Sequence, residues 1–378
     1  MRIGIEVQRI FRPKKHGMEV VAVELIRQIQ QLDTTNEYIL FAKEDLDKDT
    51  ILETDTFKIK KVPSFTYADW EQMRLPAAVK RSGIDFLHCT CNTAPLVCPV
   101  PLMLTLHDII YLEKVDFKGT TYQNFGNLYR RFVVPRIIRN SQVVVTVSQF
   151  EKDRILERLK LPEEKVKVVY NAVNARFNNR YAPEQVRSFK DGHALPENFL
   201  LFLGNTAPKK NTPNVIRAFA DYCRQTKDII PLVILDYDRS LVEQALASSG
   251  DIQFLPHIIF PGYIAPSEMP LMYNAATLFL YPSLRESFGL PILEAMGSGT
   301  PVITSTTSSM PEVAGDAALL IDPYDPARLS EAILLLLSDT SLRKNYIQKG
   351  LERAARFTWE ASARNLLAIY EGMAKKYI

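Results

Sequence analysis

YPSLRESFGLPILEAMGSGTPVITS, from Tyr281 to Ser305, is the stretch on which the fold turns. An apolar run, TLFLYPS, ends at its start, and a loop carrying Arg285 and Glu286 follows. A helix is expected to begin around Pro291, because proline's fixed φ and missing N–H suit a first helical turn. TPVITST, from Thr300 to Thr306, then reads as the next strand. Strand, loop, helix and strand in that order form a βαβ unit, the building block of parallel sheets. The free amides of Leu290, Ile292 and Leu293 would point out of the helix N-terminus with the positive end of its dipole behind them, an arrangement that binds a diphosphate. Glu286 precedes that helix and Glu294 sits one turn inside it, and carboxylates accept hydrogen bonds from sugar hydroxyls. Taken alone, the two glutamates are read equally well as a helix cap and a solvated side chain.

The same alternation of short β-branched runs and helical patterns extends in both directions. RIGIEV (Arg2 to Val7), YILFA, LMLTL (Leu102 to Leu106) and QVVVTVS (Gln142 to Ser148) read as strands of a first sheet. NFLLFLG (Asn198 to Gly204), PLVILD, HIIFPG, TLFLYPS and TPVITST read as strands of a second. Between the sets, Asn174 to Asn198 is polar, broken by Pro and Gly and poor in periodic apolar positions, so it is read as the linker. At 378 residues the chain also exceeds the size at which one core keeps growing. The expected domains are residues 1–180 and 181–358. Amphipathic helices are expected around Ala327 to Leu337 and Leu342 to Phe357, and a last one at 359–378, packing back on the first domain.

Composition is that of an ordinary globular protein, 47% hydrophobic and 24% charged, with a net charge of +3. That charge is too mild to argue for nucleic acid, whose binders concentrate Lys and Arg on one face. The N-terminal MRIGIEVQRIF enters a strand at once, with no signal-peptide pattern, and no run approaches a membrane span. A cytoplasmic location is expected. Cys89, Cys91, Cys98 and Cys223 lack the paired spacing of a zinc ribbon and are read as packing residues rather than metal ligands.

ESFGLPILEAMGSGTPV resembles, almost residue for residue, the Glu-x7-Glu motif of the retaining GT-B glycosyltransferases of family four, usually written E-G-F-G-L-P-x-L-E-A-M-A-x-G-x-P-V. Ser287 and Gly297 are the departures, both small. GNTAPKKNTPNVIRAF (Gly204 to Phe219), the stretch from His257 to Leu284, MPEVAGDAALLIDPYDP, WEQMRLP, TLHDI, VTVSQFEKD, VVYNAVNARF and the loop around Gly17 are similar to other segments of that family. The resemblance implies two Rossmann-like α/β domains with parallel sheets facing across a cleft, the first for acceptor and the second for nucleotide-sugar. It implies that Lys210 takes the phosphate-lysine position, while Asn205 stands where many relatives carry an arginine and Lys209 either supplies part of the lost charge or points to solvent. Glu286 would hold donor-sugar hydroxyls beside the Phe288, Gly289 and Leu290 amides, and Glu294 the ribose. The backbone of Gly262, Tyr263 and Ile264 would meet the base edge, Gly17 would let backbone approach the phosphates, and His107 would reach the sugar at the reaction centre. The remaining histidines, His16, His88, His193 and His257, are read as structural or exposed.

The implied reaction is retaining hexosyl transfer, with a lean to mannose or glucose, onto a glycan or lipid-linked acceptor of a bacterial surface polysaccharide. It uses the nucleotide-sugar as substrate, no cofactor, no metal and no protein nucleophile. Asp236-Tyr237-Asp238 and Asp45-Leu46-Asp47 have the D-x-D spacing of metal-binding carboxylates, but charged loops produce such pairs by chance. YQNFGNLYRRFVVPRIIRNS, from Tyr122 to Ser141, interleaves aromatics with arginines as a peripheral membrane contact would. It is read first as a helix packing one face on the sheet. Two other functions compete: a sugar-nucleotide epimerase or phosphorylase of the same architecture, and a non-catalytic nucleotide-sugar sensor.

Overall fold

A computed structural model describes residues 1–15, 17–113 and 121–378, with the backbone alone over 121–125. The chain forms two compact units, Met1–Asn171 with Trp359–Ile378, and Ala172–Thr358.

The first unit is built on seven strands: β1 (Arg2–Glu6), β2 (Glu37–Ala42), β3 (Phe57–Lys61), β4 (Phe86–Cys89), β5 (Leu102–Thr105), β6 (Val143–Thr146) and β7 (Val166–Val168). They pair in the order β3-β2-β1-β4-β5-β6-β7, every pair parallel. Parallel strands are covered on both faces, which is why β4, β5 and β6 are buried at every position. One face packs Ile3, Ile5, Tyr38, Leu40 and Phe86 against the Gly17–Leu32 helix and against Ala363, Leu366, Tyr370 and Met373 of the Trp359–Tyr377 helix. The other face packs Leu87, Leu104 and Val144 against Leu75, Val79, Val134, Ile137 and Ile138.

The second unit carries β8 (Leu200–Leu203), β9 (Leu232–Leu235), β10 (Ile258–Ile259), β11 (Leu278–Tyr281), β12 (Val302–Ser305) and β13 (Leu319–Ile321). Their order is β10-β9-β8-β11-β12-β13, again parallel throughout. In both sheets the order reverses beside the first strand of the unit, at β1/β4 and at β8/β11. Loops leaving the carboxyl ends of two such strands diverge, and the crevice between them is where open α/β sheets bind ligands.

The division falls after Asn171, nine residues before the expected boundary at 180. The polar stretch read as a linker contains a helix, Pro183–Gly192. Val186 and Phe189 give it an apolar side, and Phe189 is buried, so three polar turns suffice to hide that pattern from a search for apolar periodicity. The Tyr122–Ser141 segment lies in a helix, Thr121–Asn140, whose Val133, Val134, Ile137 and Ile138 are buried against the sheet. Residues Tyr122 to Phe125 contribute only backbone to that description, and His16 lies outside the described residues.

Candidate active site

The loop after β8 runs GNTAPKKNT, and its course is set by two asparagines. Asn205 Oδ1 accepts from the Ala207 N–H at 2.8 Å, while its backbone exchanges hydrogen bonds with the Thr212 hydroxyl. The Asn205 side chain therefore shapes the loop. Asn211, in the left-handed region at φ 62°, is buried and donates its amide N–H groups to the carbonyls of Pro282 and Pro323 at 3.0 and 2.7 Å. The Leu284 N–H donates to the Lys209 carbonyl at 2.7 Å. The lysine loop and the loop after β11 are thus stitched together on both sides of the β8/β11 switch point.

Into that seam project Lys209, Lys210 and Glu286. Lys210 Nζ lies 2.7 Å from Glu286 Oε1 and Lys209 Nζ lies 3.7 Å from Oε2. The close contact is an ion pair whose angles fall short of a hydrogen bond, so Oε1 is buried next to charge with hydrogen-bonding capacity left over. Lys210 also donates to the Tyr281 hydroxyl at 3.1 Å and lies 5.0 Å over that ring. Glu286 is 8% exposed. Burial works to raise its carboxyl, but the ammonium of Lys210, then that of Lys209, outweighs it and leaves the group below its ordinary value. The carboxylate stays charged, and the seam carries two cations against one anion.

The backbone at Glu286 is fixed as firmly as its side chain. Its carbonyl accepts from Arg285 Nη1, the Ser308 hydroxyl and the Ser309 hydroxyl, and its N–H donates to Ser308 Oγ. Ser309 also donates to the Phe288 carbonyl at 2.9 Å. Three residues on, Gly289 adopts φ 101°, a conformation side chains other than glycine's rarely take, and turns the chain into the Leu290–Gly297 helix. That helix begins one residue before the expected Pro291 and presents its first amides at the same switch point.

Glu294, on the same helix, accepts from the Tyr273 hydroxyl at 3.1 Å. Burial raises its carboxyl to about 7, against the smaller opposing effects of Tyr273 and the Arg176 charge. Phe288 and Ile264 are buried, whereas Gly262, at φ 83°, and Tyr263, 75% exposed, lie on an open loop. Among the described residues, no hydrogen bond or ion pair ties that loop to Glu286 or to either lysine.

His107 and Gly17 belong to the first unit. His107 follows β5; its ring Nε2 donates to the Thr90 carbonyl at 2.9 Å and its backbone N–H donates to Asn92 Oδ1 at 2.6 Å. Burial lowers its basicity, so the ring is neutral with Nδ1 as the acceptor nitrogen. Gly17 is exposed at the first position of its helix.

The D-x-D pairs have other duties: Asp238 caps the Arg239–Ser249 helix through the Ser240 N–H at 2.8 Å, and Asp47 pairs with Lys15. Among the described residues no three His, Cys, Asp or Glu side chains cluster as metal ligands would. His88 bridges the Tyr370 hydroxyl and the Thr105 hydroxyl, each at 2.7 Å. Sequence reasoning missed Tyr281, Tyr273, Asn211 and Ser309. Tyr281 at a strand's carboxyl end and Asn211 directly after the paired lysines were the available signals.

Two family models match the chain: Glycosyltransferase Family 4 over residues 16–177 and Glycosyl transferases group 1 over 184–353. The O-antigen chain mannosyltransferase B of Escherichia coli is 31% identical over 239 residues, 61% of each chain. The serotype-specific mannosyltransferase WbdA of Escherichia coli is 27% identical over 273 residues, 70% of this chain and 32% of its own. The chain therefore spans less than two thirds of these relatives. The O-antigen chain mannosyltransferase RfbU of Salmonella typhimurium is 27% identical over 282 residues, 74% of this chain and 71% of its own. In fold, the structure of Anabaena HepE in complex with UDP and glucose superposes with a TM-score of 0.74 at 19% identity, covering 98% of this chain and 100% of that one. WaaG, a glycosyltransferase involved in lipopolysaccharide biosynthesis, does so at 0.70 and 14% identity, covering 97% and 99%. With two parallel sheets of this kind, and with matches that between them take in most of both units, the chain belongs to the group 1 glycosyltransferases of the GT-B fold.

Proposed function

We propose that the protein moves a hexose, mannose or glucose foremost, from a nucleotide-diphosphate sugar to a glycan or lipid-linked acceptor in bacterial surface polysaccharide synthesis, with retention of anomeric configuration. The observation that carries this reading is the pairing of Lys209 and Lys210 with Glu286 beside the N-terminus of the Leu290–Gly297 helix. A diphosphate needs positive charge and N–H groups; the two lysines supply the charge and the first helical turn the N–H groups, of which that of Ile292 is already given to the Gly289 carbonyl at 3.0 Å. As the glycosidic bond breaks, Lys210 and the helix amides stabilise the departing diphosphate, in the manner of preorganised donors aimed at developing charge. Glu286, held charged and short of hydrogen bonds at Oε1, accepts from hydroxyls of the donor sugar. Glu294 takes the ribose, the backbone at Gly262 to Ile264 the base edge, and His107 the sugar at the reaction centre. The acceptor hydroxyl loses its proton to the leaving phosphate, so neither a metal nor a protein nucleophile enters.

Mannose is favoured by the names of the O-antigen mannosyltransferases to which the chain is similar. No described helix is long and apolar enough to cross a membrane. Peripheral contact at the cytoplasmic membrane face is supported by Leu128 and Phe132, 60% and 54% exposed, and by Arg136 stacked 3.7 Å over the Phe132 ring.

Thermal stabilisation by a panel of UDP-, GDP- and ADP-sugars identifies the donor, since a ligand that binds the native state raises the melting temperature. Turnover with that donor, followed by the anomeric proton coupling of the product, tests the reaction. Binding without consumption would make the protein a sensor, and an inverted linkage would end the retaining mechanism.

A further inference from the structure

The amino edge of the first sheet, opposite its switch point, carries a groove that plays no part in the site described above. It has a volume of about 640 Å³ and lies where the Thr121–Asn140 helix leads into β6, where the turn at Pro162 leads into β7, and along the last turns of the Trp359–Tyr377 helix. Arg139, Lys165, Lys167 and Lys376 line it, with Glu164 as the one carboxylate among its lining residues. None of these five side chains forms an ion pair with a described residue. Lys165 Nζ donates to the Arg139 carbonyl at 2.8 Å, an acceptor that the end of the helix leaves over, and Lys376 Nζ lies 5.2 Å from the Tyr377 ring centroid. Partial burial lowers the basicity of Lys165, as it does for an ammonium with no anion to answer it. Four cations against one carboxylate leave three positive charges in excess.

The floor between these charges is apolar. Val143, at the start of β6, and Met373 are buried in the core beneath the groove, and Ile369 packs against that core one helical turn before Met373. Gly372 lines the groove from inside the helix, a place where glycine is less stable than alanine. A Cβ there would meet nothing outside its own stretch of helix within 4 Å, so packing does not call for the glycine. What the absent side chain does is keep the groove open. Its volume is that of sites that enclose small organic ligands.

Cations around an apolar floor call for an anion that carries hydrocarbon. A free phosphate would leave the floor uncovered, and a neutral apolar ligand would leave the cations unanswered. The Thr121–Asn140 helix favours a lipid over a soluble molecule. Its Leu128, Phe132, Arg136 and Arg139, spaced by four, four and three, share one exposed face that is apolar first and basic where it reaches the groove. We propose that the groove holds the phosphate headgroup and upper acyl chain of an anionic phospholipid. This rests on the peripheral-contact reading for the source of the lipid, and on the groove alone for the site.

The test titrates the full chain calorimetrically with dihexanoyl-phosphatidylglycerol below its micelle concentration, with dihexanoyl-phosphatidylcholine and inorganic phosphate as comparators. The wild type should bind the anionic lipid and, at the same concentration, neither comparator. Lys167→Gln with Lys376→Gln removes two exposed cations that make no hydrogen bond among the described residues. It should weaken binding about 30-fold, the scale of two such charges near an anionic surface. Lys227→Gln with Lys344→Gln takes the same charge from the second unit and should change nothing. Gly372→Leu fills the groove at unchanged net charge with a better helix former, and should abolish binding. Melting curves check that each variant folds. Absence of binding in the wild type, equal binding of phosphate or phosphatidylcholine, or binding of a poly-glutamate peptide in place of the lipid would overturn the proposal. So would undiminished binding in either groove variant, or an equal loss in the second-unit variant. Sedimentation with vesicles of three parts phosphatidylcholine to one part phosphatidylglycerol reads the membrane contact separately. If the vesicles leave the protein in solution while the short-chain lipid binds, the peripheral-contact reading fails and the groove site stands. If they carry down wild type and Gly372→Leu equally, the contact stands and the groove proposal fails.

Discussion

Lys210 Nζ stands 2.7 Å from Glu286 Oε1 and 3.1 Å from the Tyr281 hydroxyl, so one ammonium joins the loop after β8 to the end of β11 and to the loop beyond it. Its removal leaves buried Glu286 with the Tyr281 hydroxyl and the more distant Lys209 ammonium, 3.7 Å away, and with the nearer cation gone the carboxyl rises toward its protonated form.

Lys210→Ala should lower kcat and weaken donor binding together, since the ammonium meets charge that grows as the bond to the diphosphate breaks. Glu286→Gln should cost kcat, about 100-fold if it resembles loss of one preorganised stabilising contact. Glu294→Gln should act mainly on KM, because a ribose contact changes little between ground and transition states. Steady-state kinetics on the three folded variants checks this order. Near-normal kcat in both Lys210→Ala and Glu286→Gln would make the motif a scaffold and move the donor site elsewhere.

Turnover should survive exhaustive chelation, because the two lysines and the helix amides supply the positive charge that a divalent cation would bring. Assays after EDTA treatment, with and without added Mn²⁺ or Mg²⁺, decide it. Restoration of a lost activity by either ion would return weight to the D-x-D pairs.

Glu294 gives a pH signature. Its folded value of about 7 lies above the ordinary 4.5, so the native state binds its proton more tightly than the unfolded chain does. The stability this contributes is fully present below about pH 4.5 and is lost as pH rises through 7. Glu294→Gln keeps an oxygen for the Tyr273 hydroxyl and removes the titration. The variant should therefore melt at or near the wild-type temperature at pH 5 and above it at pH 8. Parallel wild-type and variant melting curves across that range would show that burial does not hold this carboxyl protonated.

Gly297→Ala should destabilise the second unit even though the family motif carries alanine there. A Cβ at this position would stand 2.7 Å from the Phe177 carbonyl oxygen, and backbone cannot move aside as a flexible side-chain tip does. A cost of about 1–3 kcal/mol is expected, as for other overpacked cores, and thermal denaturation measures it. An unchanged melting temperature would mean that the 175–180 loop relaxes freely.

The Gly297 case also marks where the sequence stops being legible. The strand, loop and helix of Tyr281 to Gly297 could be read from local rules, because a strand end, a proline at the first helical turn and a glycine before it are all short-range signals. The strands FKIKK, FLHC, VKV and LLI were not recognised, since three to five residues flanked by polar side chains carry no usable period. Lys210 and Glu286 were named as partners of a ligand, but their pairing with each other depends on residues 76 positions apart meeting at one switch point. Gly297 was seen as a small departure from a motif, and its cause, a carbonyl 120 residues upstream, has no trace in the local pattern.

The helix from Trp359 to Tyr377 completes the core of the first unit, where Tyr370 closes over Phe86 and binds His88. A ribosome delivers that helix only after the whole second unit has been made. Until then the sheet from β1 to β7 waits with one apolar face partly bare, so a nascent chain arrested anywhere in the second unit presents a sticky intermediate to chaperones and proteases. The first unit is synthesised before the second and finished after it.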